Sequence, residues 1–405
     1  MNTIKERAAA IAAAAQKLNS AVYNASNDHG KITEARTVAQ QHSPKLVSLE
    51  EAIKQSGLKD GMTISFHHHF RGGDKVVNLV VGKLAEMGFK NLHLAASSLL
   101  DKHEPLIEHI KNGVITQIST SGLRGELARQ ISLGLMENPV VFRSHGGRGA
   151  AIAKGELHID VAFLGASSSD PLGNACGYSR SENAQSICGS LGYALPDAEY
   201  ADKVVILTDD LVNYPNTPAS ISERYVDYVV QVDSVGDSSK IASGAIRDTK
   251  NPRDILLAKQ AAKVIEHSGY LTPGFSIQTG SGGASLAVVK YLRNAMVEQN
   301  IKASFALGGI TAHMVKLHEE GLIERLIDVQ SFDKVAAESL KNDAMHQEVS
   351  ACEYASPDEP GSAVHYLDIV ILSALEADVN FNVNVLVGSD GIIPVSYTHL
   401  TLPTT

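Results

Sequence analysis

The stretch Thr63-Ile64-Ser65-Phe66-His67-His68-His69-Phe70-Arg71-Gly72-Gly73-Asp74 passes from an apolar, β-prone run into a polar turn. Helical spacing of apolar residues follows it. A strand, a polar turn and a helix in this order are how an open α/β sheet presents functional groups at the carboxyl ends of its strands. We predict a strand over Met62–Phe66 and a helix over Lys75–Met87, with Asp74 as the N-cap and Gly88 as the stop.

The polar turn carries three imidazoles and a guanidinium, a combination that suits a small polyanion. Neighbouring side chains of an extended chain point to opposite faces, so His67 and His69 would share one face and His68 the other. Arg71 adds a group that can hold a carboxylate through two hydrogen bonds. We therefore name His67, His69 and Arg71 as candidate substrate-binding residues. Two alternatives stay open: a metal site, for which consecutive histidines are poorly arranged, and histidines that only pack at a strand end.

The same alternation of strand and helix patterns continues along the chain. In the first part we predict strands at Asn91–Ala95, Val114–Ile118, Pro139–Phe142, Ile159–Leu164 and Lys203–Leu207, with helices at Glu104–Lys111, Arg124–Leu135 and Arg148–Lys154. After Pro273-Gly274 the alternation restarts, with strands at Phe275–Gln278, Ala303–Leu307, Asp328–Gln330, Leu367–Leu372 and Val379–Leu386, and helices at Ser285–Glu298, Thr311–Glu320 and Asp333–Leu340. The pattern predicts an α/β fold with mostly parallel sheets and helices on both faces.

Length and pattern together divide the chain. A chain of 405 residues exceeds one ordinary core, so two domains are expected. We predict an N-terminal helical arm over residues 1–43, a first α/β domain over 44–270, a second over 271–395 and a tail over 396–405.

Composition excludes several classes of protein. Hydrophobic residues make up 44% and charged residues 20% of the chain, as in soluble globular proteins. The formal net charge of −10 argues against nucleic-acid partners, which need a basic face. No apolar run reaches the roughly 20 residues that span a bilayer, so no membrane is expected. The 3 cysteines form no C-x-x-C pair and favour a reducing, cytoplasmic location.

A glycine-rich turn in the second part is a further candidate site. Gly280-Ser281-Gly282-Gly283 follows the predicted strand and precedes a helix. Backbone N–H groups there can approach a bound group closely, and a helix N-terminus favours negative charge. A structural tight turn or a phosphate cradle would also fit, although the P-loop and dinucleotide patterns are absent. Gly308-Gly309 resembles a second close-approach loop in the same crevice, and we name both glycines as candidate substrate-binding residues.

The stretch Ser144-His145-Gly146-Gly147-Arg148 also follows a predicted strand. Adjacent serine and histidine residues are not a catalytic pair by that fact, and no G-x-S-x-G elbow is present. Arg143 and Arg148 could add positive charge for an anionic substrate, so they complete the substrate-binding candidates. The alternative is that both are ordinary surface arginines.

Together these stretches resemble the citrate lyase alpha-chain family, the citrate CoA-transferase subunits of bacterial citrate lyase. The resemblance covers roughly residues 40 to 395, in order and in long blocks. Besides the histidine run, its matching stretches are Asn91–Leu99, Ser144–Arg148, Leu157–Phe163, Cys188–Tyr193, Gln278–Leu286 and Phe381–Val385.

The resemblance implies two CoA-transferase-like α/β/α domains and an exchange of acetyl for citryl on a thioester. Gly280, Ser281, Gly282 and Gly283 would then be the catalytic residues, as an oxyanion hole for the thioester carbonyl. The implied partners are citrate, the acyl carrier protein (gamma) subunit and the citryl lyase (beta) subunit. No cofactor or metal would be bound by this chain itself, which would act on the CoA-like phosphopantetheine prosthetic group of the carrier.

Two departures from related patterns bear on this expectation. Many CoA-transferases carry CoA on a glutamate, but the strand Ala303–Leu307 has no carboxylate, and Ser304 stands near the glutamate's place. The citrate lyase branch works without that covalent step, so the absence agrees with the resemblance. Secondly, the chain departs from the family after about Val395, which leads us to expect an incomplete second domain. The alternatives are the citramalate lyase alpha chain and a non-catalytic scaffold that binds the carrier and lyase subunits.

Overall fold

The computed structural model describes residues 44–182, 186–242, 250–280, 282–388 and 391–393. The predicted arm over residues 1–43 and the tail over 396–405 lie outside the described residues, as does Ser281. The fold is mixed α/β with two parallel sheets, which confirms the predicted fold class. Whether the second domain is complete stays a prediction.

The first sheet is built from residues between Thr63 and Gln231. The strands of this part are β1 Thr63–Phe66, β2 Leu92–Ala96, β3 Ile115–Thr120, β4 Val141–Phe142, β5 Val161–Ala166, β6 Ser168–Ser169, β7 Ala175–Cys176, β8 Lys203–Thr208 and β9 Tyr228–Gln231. Seven of them form one parallel sheet in the order β4-β3-β2-β1-β5-β8-β9, while β6 and β7 pair separately as an antiparallel ribbon. The inner strand β5, next to β1, is buried along its whole length, as expected for a strand covered on both faces.

The helices of the first part connect these strands. They are α1 Leu49–Gln55, α2 Val76–Glu86, α3 Leu106–Lys111, α4 Gly125–Ser132, α5 His145–Ala153 and α6 Leu195–Tyr200. In α2, valine and leucine side chains are buried at helical spacing, and they pack in one core cluster with strands β1, β2 and β5. This packing fixes where the chain leaves β1.

The second sheet follows the same plan. Its strands are β10 Ser276–Thr279, β11 Ala303–Ile310, β12 Ile323–Ser331, β13 His346–Glu348 and β14 Ile369–Ile371, in the parallel order β13-β12-β11-β10-β14. The helices are α7 Pro252–His267, α8 Gly283–Glu298, α9 Ala312–Glu319, α10 Lys334–Asn342 and α11 Ala351–Ala355.

In both sheets, the direction in which successive strands are added reverses at the first strand. The chain moves outward from β1 through β2 to β4 and then places β5 on the other side of β1. In the same way it moves outward from β10 to β13 and places β14 on the other side of β10. Ligands of open α/β sheets bind at such switch points, beyond the carboxyl ends of the strands. The histidine turn follows β1 and the glycine-rich turn follows β10, so both predicted sites lie at switch points.

The predicted N-cap of α2 is wrong. The helix begins at Val76 with Lys75 in the cap position, because Arg71–Gly73 form a 3₁₀ turn that delays the start. The Asp74 carboxylate still accepts a hydrogen bond from the Val77 amide at 3.3 Å. The predicted stop is confirmed: Gly88 follows the helix with a φ of +89°.

The single strand predicted over Val379–Leu386 is also wrong. The chain instead forms two short antiparallel strands, β15 Glu376–Ala377 and β16 Val383–Asn384. The Asp378 carboxylate accepts hydrogen bonds from the amides of Asn380 and Asn382, which closes a turn inside the predicted strand.

The predicted domain boundary near residue 270 stays a prediction. Helix α7 precedes that point, yet its buried Ala258 and Ala262 belong to the core cluster of the second sheet. Within the described ranges, no helix is long and apolar enough to cross a membrane.

Candidate active site between the two sheets

The histidine turn after β1 is completely enclosed. His67, His68 and His69 are 6%, 1% and 0% exposed. The ring centres of His67 and His69 are 3.8 Å apart, while His68 bonds through Nδ1 to the Ser97 hydroxyl at 2.6 Å. His67 and His69 therefore lie together, as the alternation predicted, while His68 and His69 both lie near the Tyr193 ring, at 5.4 and 6.3 Å between ring centres.

Burial keeps the imidazoles of His67 and His69 neutral. It lowers the pKa of His67 to about 4, against the opposing effects of Asp74 and Asp197. It also lowers the pKa of His69 well below the usual value, and the neighbouring His67 and His68 add to the effect. At neutral pH the rings offer hydrogen bonds and no charge. Neither ring nitrogen of His69 has a hydrogen-bond partner among the described residues.

Arg71 therefore supplies the positive charge of this turn. Its side chain is 2% exposed and its φ is +48°, a left-handed conformation that costs a non-glycine residue about 1–2 kcal/mol. The guanidinium carbon lies 4.2 Å from the ring centre of Phe332, which directly follows β12. Backbone strain of this kind is retained where surrounding structure fixes it. Phe332, from the second sheet, thus helps to fix the position of the Arg71 guanidinium, which follows a strand of the first sheet.

Gly309, near the end of β11, makes room for Phe332, and Gly308 precedes it. A Cβ on Gly309 would lie 2.1 Å from the Phe332 ring, and Gly308 has a φ of +101°. Packing and backbone conformation therefore account for both glycines. Their contact with substrate stays a prediction; Gly309 makes room for Phe332, and a Cβ on Gly308 would lie 2.9 Å from the Gln278 side chain.

The glycine-rich turn after β10 differs from Gly308-Gly309, because packing does not explain the glycine at position 282. Gly282 has a φ of −71° and is the N-cap of α8, and a Cβ there would meet nothing nearer than the Ser373 hydroxyl at 3.7 Å. Neither strain nor crowding demands a glycine at position 282, which leaves open space at a helix N-terminus. The Gly280 N–H is less available to a ligand, because it already donates to the Ile371 carbonyl at 2.8 Å.

A narrow cleft lies between the two turns; Gly280 of the glycine-rich turn lines it, and the histidine turn lies behind its wall. The cleft is lined by His145 and Tyr193 from the first part and by Gln278, Thr279, Gly280, Gly309, Gln330, Phe332, Tyr354 and Leu372 from the second. The Gln330 side-chain amide donates to the His68 carbonyl at 2.8 Å. This bond ties the wall of the cleft to the histidine turn.

Two buried polar groups in this cleft were not predicted from the sequence. The Gln278 side chain donates to the Tyr354 hydroxyl at 2.7 Å, but its Oε1, like the Thr279 hydroxyl, has no partner among the described residues. Unpaired buried polar atoms are costly and indicate a ligand or water. Their position directly before Gly280, at the end of β10, is the signal that could have identified them.

His145 closes the cleft from the first part. Its ring stacks on Tyr193 at 4.6 Å between centres. Burial lowers its pKa to about 3, and the positive charges of Arg148, Arg124 and Arg71 contribute. Three arginines therefore act on this wall of the cleft.

Arg148, a predicted substrate-binding residue, lies in a buried ion pair. Its two terminal nitrogens donate to the two Asp197 oxygens at 2.8 Å each, and one also donates to the Ser65 hydroxyl at 2.8 Å. Ser65 belongs to β1, so this network supports the strand that carries the histidine turn. The carboxylate compensates the charge of Arg148, which favours a structural role.

Arg143, another predicted substrate-binding residue, does not line the cleft. It follows β4, the edge strand of the sheet. Burial is the main cause that lowers the pKa of His93, and the positive charge of Arg143 adds to this effect. The neighbouring Ser144 caps α5 by accepting from the Gly147 amide at 3.0 Å. This places Ser144 in helix capping and not in a hydrolase triad.

The metal alternative receives no support from the side-chain geometry. Among the described residues, the one group of three ligand-type side chains within 4.8 Å of one another is His158, Asp160 and Asp202, at the surface. Strand β11 carries no carboxylate. Ser304 lies at its amino end, roughly 15 Å along the strand from Gly309.

Two parallel α/β sheets with facing switch points, one of them opening on a glycine-rich helix N-terminus, define a CoA-transferase-like protein. The fold agrees with that class. A malonate decarboxylase hetero-tetramer from Pseudomonas, solved with malonate, matches with a TM-score of 0.65 at 15% identity, over 87% of this chain and 63% of that one. A citrate lyase alpha subunit from Streptococcus mutans, solved with citrate, matches with a TM-score of 0.85 at 56% identity, over 89% of this chain and 70% of that one.

Sequence comparison resolves the family. The pattern of the citrate lyase alpha subunit matches residues 43–399. The citrate lyase alpha chain of Haemophilus influenzae is 62% identical over 346 residues, which are 85% of this chain and 68% of that relative. The Escherichia coli K12 alpha chain is 58% identical over 85% of this chain and 67% of that relative. The chain therefore belongs to the citrate lyase alpha-subunit family, the citrate CoA-transferase subunits, as the sequence predicted.

Proposed function

We propose that this chain exchanges acetyl for citryl on the thioester of an acyl carrier protein. The observation that carries the proposal is one cleft with a turn on each side: the histidine turn with Arg71 lies behind the wall residues Phe332 and Gln330, and the glycine-rich turn reaches the cleft at Gly280. One side suits a carboxylate-rich substrate, and the other suits the oxygen of a thioester carbonyl. The related Streptococcus mutans subunit was solved with citrate, which favours citrate as the acceptor here.

The first step is attack of a citrate carboxylate oxygen on the acetyl carbonyl carbon. The carbonyl electrons move onto oxygen, and the tetrahedral intermediate collapses with cleavage of the carbon–sulfur bond. Acetyl-citryl mixed anhydride and carrier thiolate result. Backbone N–H groups of Gly282 and Gly283 stabilise the oxyanion at the start of α8, and Ser281 could add a hydroxyl.

The second step is attack of the released thiolate on the citryl carbonyl carbon of the anhydride. Acetate leaves with the bridging oxygen, and citryl-carrier thioester remains. Carboxylate and thiolate are already ionised at neutral pH, so little proton transfer is needed. Orientation and charge stabilisation supply the catalysis, and no enzyme carboxylate takes part.

In this scheme Arg71 holds a citrate carboxylate by charge-assisted hydrogen bonds. His67 and His69 act as neutral hydrogen-bonding groups, since burial holds their pKa values low. The unpaired Gln278 Oε1 would accept a hydrogen bond from the citrate hydroxyl, and the unpaired Thr279 hydroxyl would donate to a further citrate carboxylate. Two partner subunits complete the reaction. The gamma subunit supplies the phosphopantetheine-type group that carries the thioester, and the beta subunit cleaves citryl-carrier. We place the complex in the cytoplasm.

The test is an exchange assay with the purified chain. Acetyl-CoA or acetyl-carrier is supplied with citrate, or in parallel with citramalate, while acetate and the new thioester are followed. We expect acetate release that requires citrate and equals the citryl thioester formed. Release with citramalate alone would reassign the chain to the citramalate enzyme. Normal binding of carrier and beta subunit without any release would favour the scaffold alternative.

A further inference from the structure

A basic groove lies on the outer face of the second sheet, between helices α8 and α9. Its sides carry Lys290 and Arg293 from α8 and His313 and Lys316 from α9, and its volume is about 320 Å³. Val289 and Leu317 also line it. The groove is separate from the cleft between the sheets, whose lining residues are all different.

The groove has uncompensated positive charge. Within the described part of the chain, Arg293 pairs with Glu320 at 2.5 Å. Lys290 and Lys316 are exposed, and no carboxylate of the described residues lies within ion-pair distance of either. Among the described residues of the groove, three permanent cations therefore accompany one paired carboxylate, in a chain with a formal net charge of −10. This local excess of positive charge favours an anionic ligand.

The position of the groove relates it to the thioester. Helix α8 starts at Gly283, where the thioester carbonyl is proposed to lie. Lys290 is seven residues further on and Arg293 ten, so they lie about 10 Å and 15 Å along the helix axis. Helix α9 starts just after Gly308-Gly309, at the same edge of the sheet. A pantetheine arm whose sulfur lies at the edge could extend along this groove.

We propose that this groove binds the phosphate groups at the far end of the pantetheine thioester arm. The inference rests on the proposed acyl exchange and adds the subsite that holds the carrier group. Lysine ammonium groups and arginine are common phosphate ligands. A recess of this size suits a small ligand, whereas acidic side chains of a carrier protein would be met by a flatter, larger surface.

The experiment compares a substrate with phosphates and one without. KM is measured for acetyl-CoA and for acetyl-pantetheine, with the natural chain and with a Lys290→Ala, Lys316→Ala double variant. Lys263→Ala, an exposed lysine on the neighbouring α7, is the matched control. We expect KM for acetyl-CoA to rise about tenfold or more in the double variant, because two charge-assisted contacts to phosphate are lost. KM for acetyl-pantetheine should not change, and the control should match the natural chain.

An equal rise for both substrates, or none for acetyl-CoA, would overturn the inference. A rise confined to the protein-bound thioester would assign the groove to acidic side chains of the carrier and would also overturn it. Calorimetric titration with CoA and with pantetheine needs no turnover. It therefore distinguishes failure of this subsite from failure of the proposed reaction: equal CoA affinity of the natural and double-variant chains would contradict the subsite alone.

Discussion

The guanidinium of Arg71 lies 4.2 Å from the ring centre of Phe332, so a cation from the first sheet rests on an aromatic ring from the second. Cation–π contacts of buried groups contribute about 2 kcal/mol. Because Arg71 is also held in a left-handed conformation, its position depends on both sheets. The substrate-binding charge is thereby coupled to the correct assembly of the cleft.

Replacement of Arg71 tests its proposed role as the citrate ligand. Arg71→Ala removes the positive charge of the histidine turn, and we expect the citrate KM to rise tenfold to a hundredfold, or about 1.4–2.8 kcal/mol. Arg71→Lys should restore little, because an ammonium cannot make the bidentate contact. Arg129→Ala, at an exposed helical ion pair, is the control. Unchanged citrate kinetics in Arg71→Ala would refute the assignment.

The glycine at position 309 provides a test of the coupling between the sheets. In Gly309→Ala the new methyl group would lie 2.1 Å from the Phe332 ring, so the ring must move and Arg71 loses its support. We expect a raised citrate KM and reduced kcat in a folded protein. Gly82→Ala is the matched control, because nothing lies within 4 Å of its Cβ and alanine stabilises a helix interior by about 1 kcal/mol. Equal kinetics in the two variants would contradict the coupling.

The ion pair of Arg148 with Asp197 predicts an effect on stability. Arg148→Ala leaves the Asp197 carboxylate buried without its partner, which typically costs 3–5 kcal/mol. We expect that loss in the free energy of unfolding, measured with urea. The citrate KM of the folded fraction should change far less than in Arg71→Ala. If Arg148→Ala kept full stability and raised the citrate KM strongly, Arg148 would be a substrate ligand after all.

The sequence identified the two turns that form the site because local patterns specify them. The β-prone run before His67 and the helical spacing after Asp74 are properties of neighbouring residues, and so is the order of strand, glycine turn and helix around Gly280. The same alternation predicted parallel sheets correctly. Strand and helix ends differ by up to a few residues: α4 ends at Ser132, whereas the predicted helix ended at Leu135.

Local patterns could not predict contacts between residues that are distant in the sequence. Nothing near Arg148 in the sequence indicates that Asp197 compensates its charge. No sequence motif marks Phe332. Its structural role depends on contacts with Gly309, from another strand, and with Arg71, from the first sheet. Such contacts are fixed by how the two sheets face one another.

The buried histidines predict a loss of stability in acid. The pKa of His145 is about 3 in the folded chain and 6.5 in its ordinary state. Below pH 6.5 the unfolded chain therefore binds a proton that the folded chain does not, and the free energy of unfolding falls as pH falls. The slope is about 1.4 kcal/mol per pH unit for each such histidine, down to the folded pKa.

Urea unfolding of His145→Phe at pH 7, 6 and 5 isolates this effect. Phenylalanine keeps an aromatic ring against Tyr193 but cannot bind a proton. We expect the variant's unfolding free energy to decrease less steeply, by about 1.4 kcal/mol per pH unit. Identical slopes would show that His145 is not held neutral by burial.

The most direct test of the proposed chemistry follows the oxygen atoms in a single turnover. Citrate labelled with a heavy oxygen isotope in its carboxylates is mixed with acetyl-carrier and this chain, and the released acetate is analysed by mass spectrometry. Direct attack predicts one citrate oxygen in every acetate of the first turnover, since the bridging oxygen of the anhydride leaves with acetate. Unlabelled first-turnover acetate, with an oxygen from water or from an enzyme carboxylate, would contradict direct exchange.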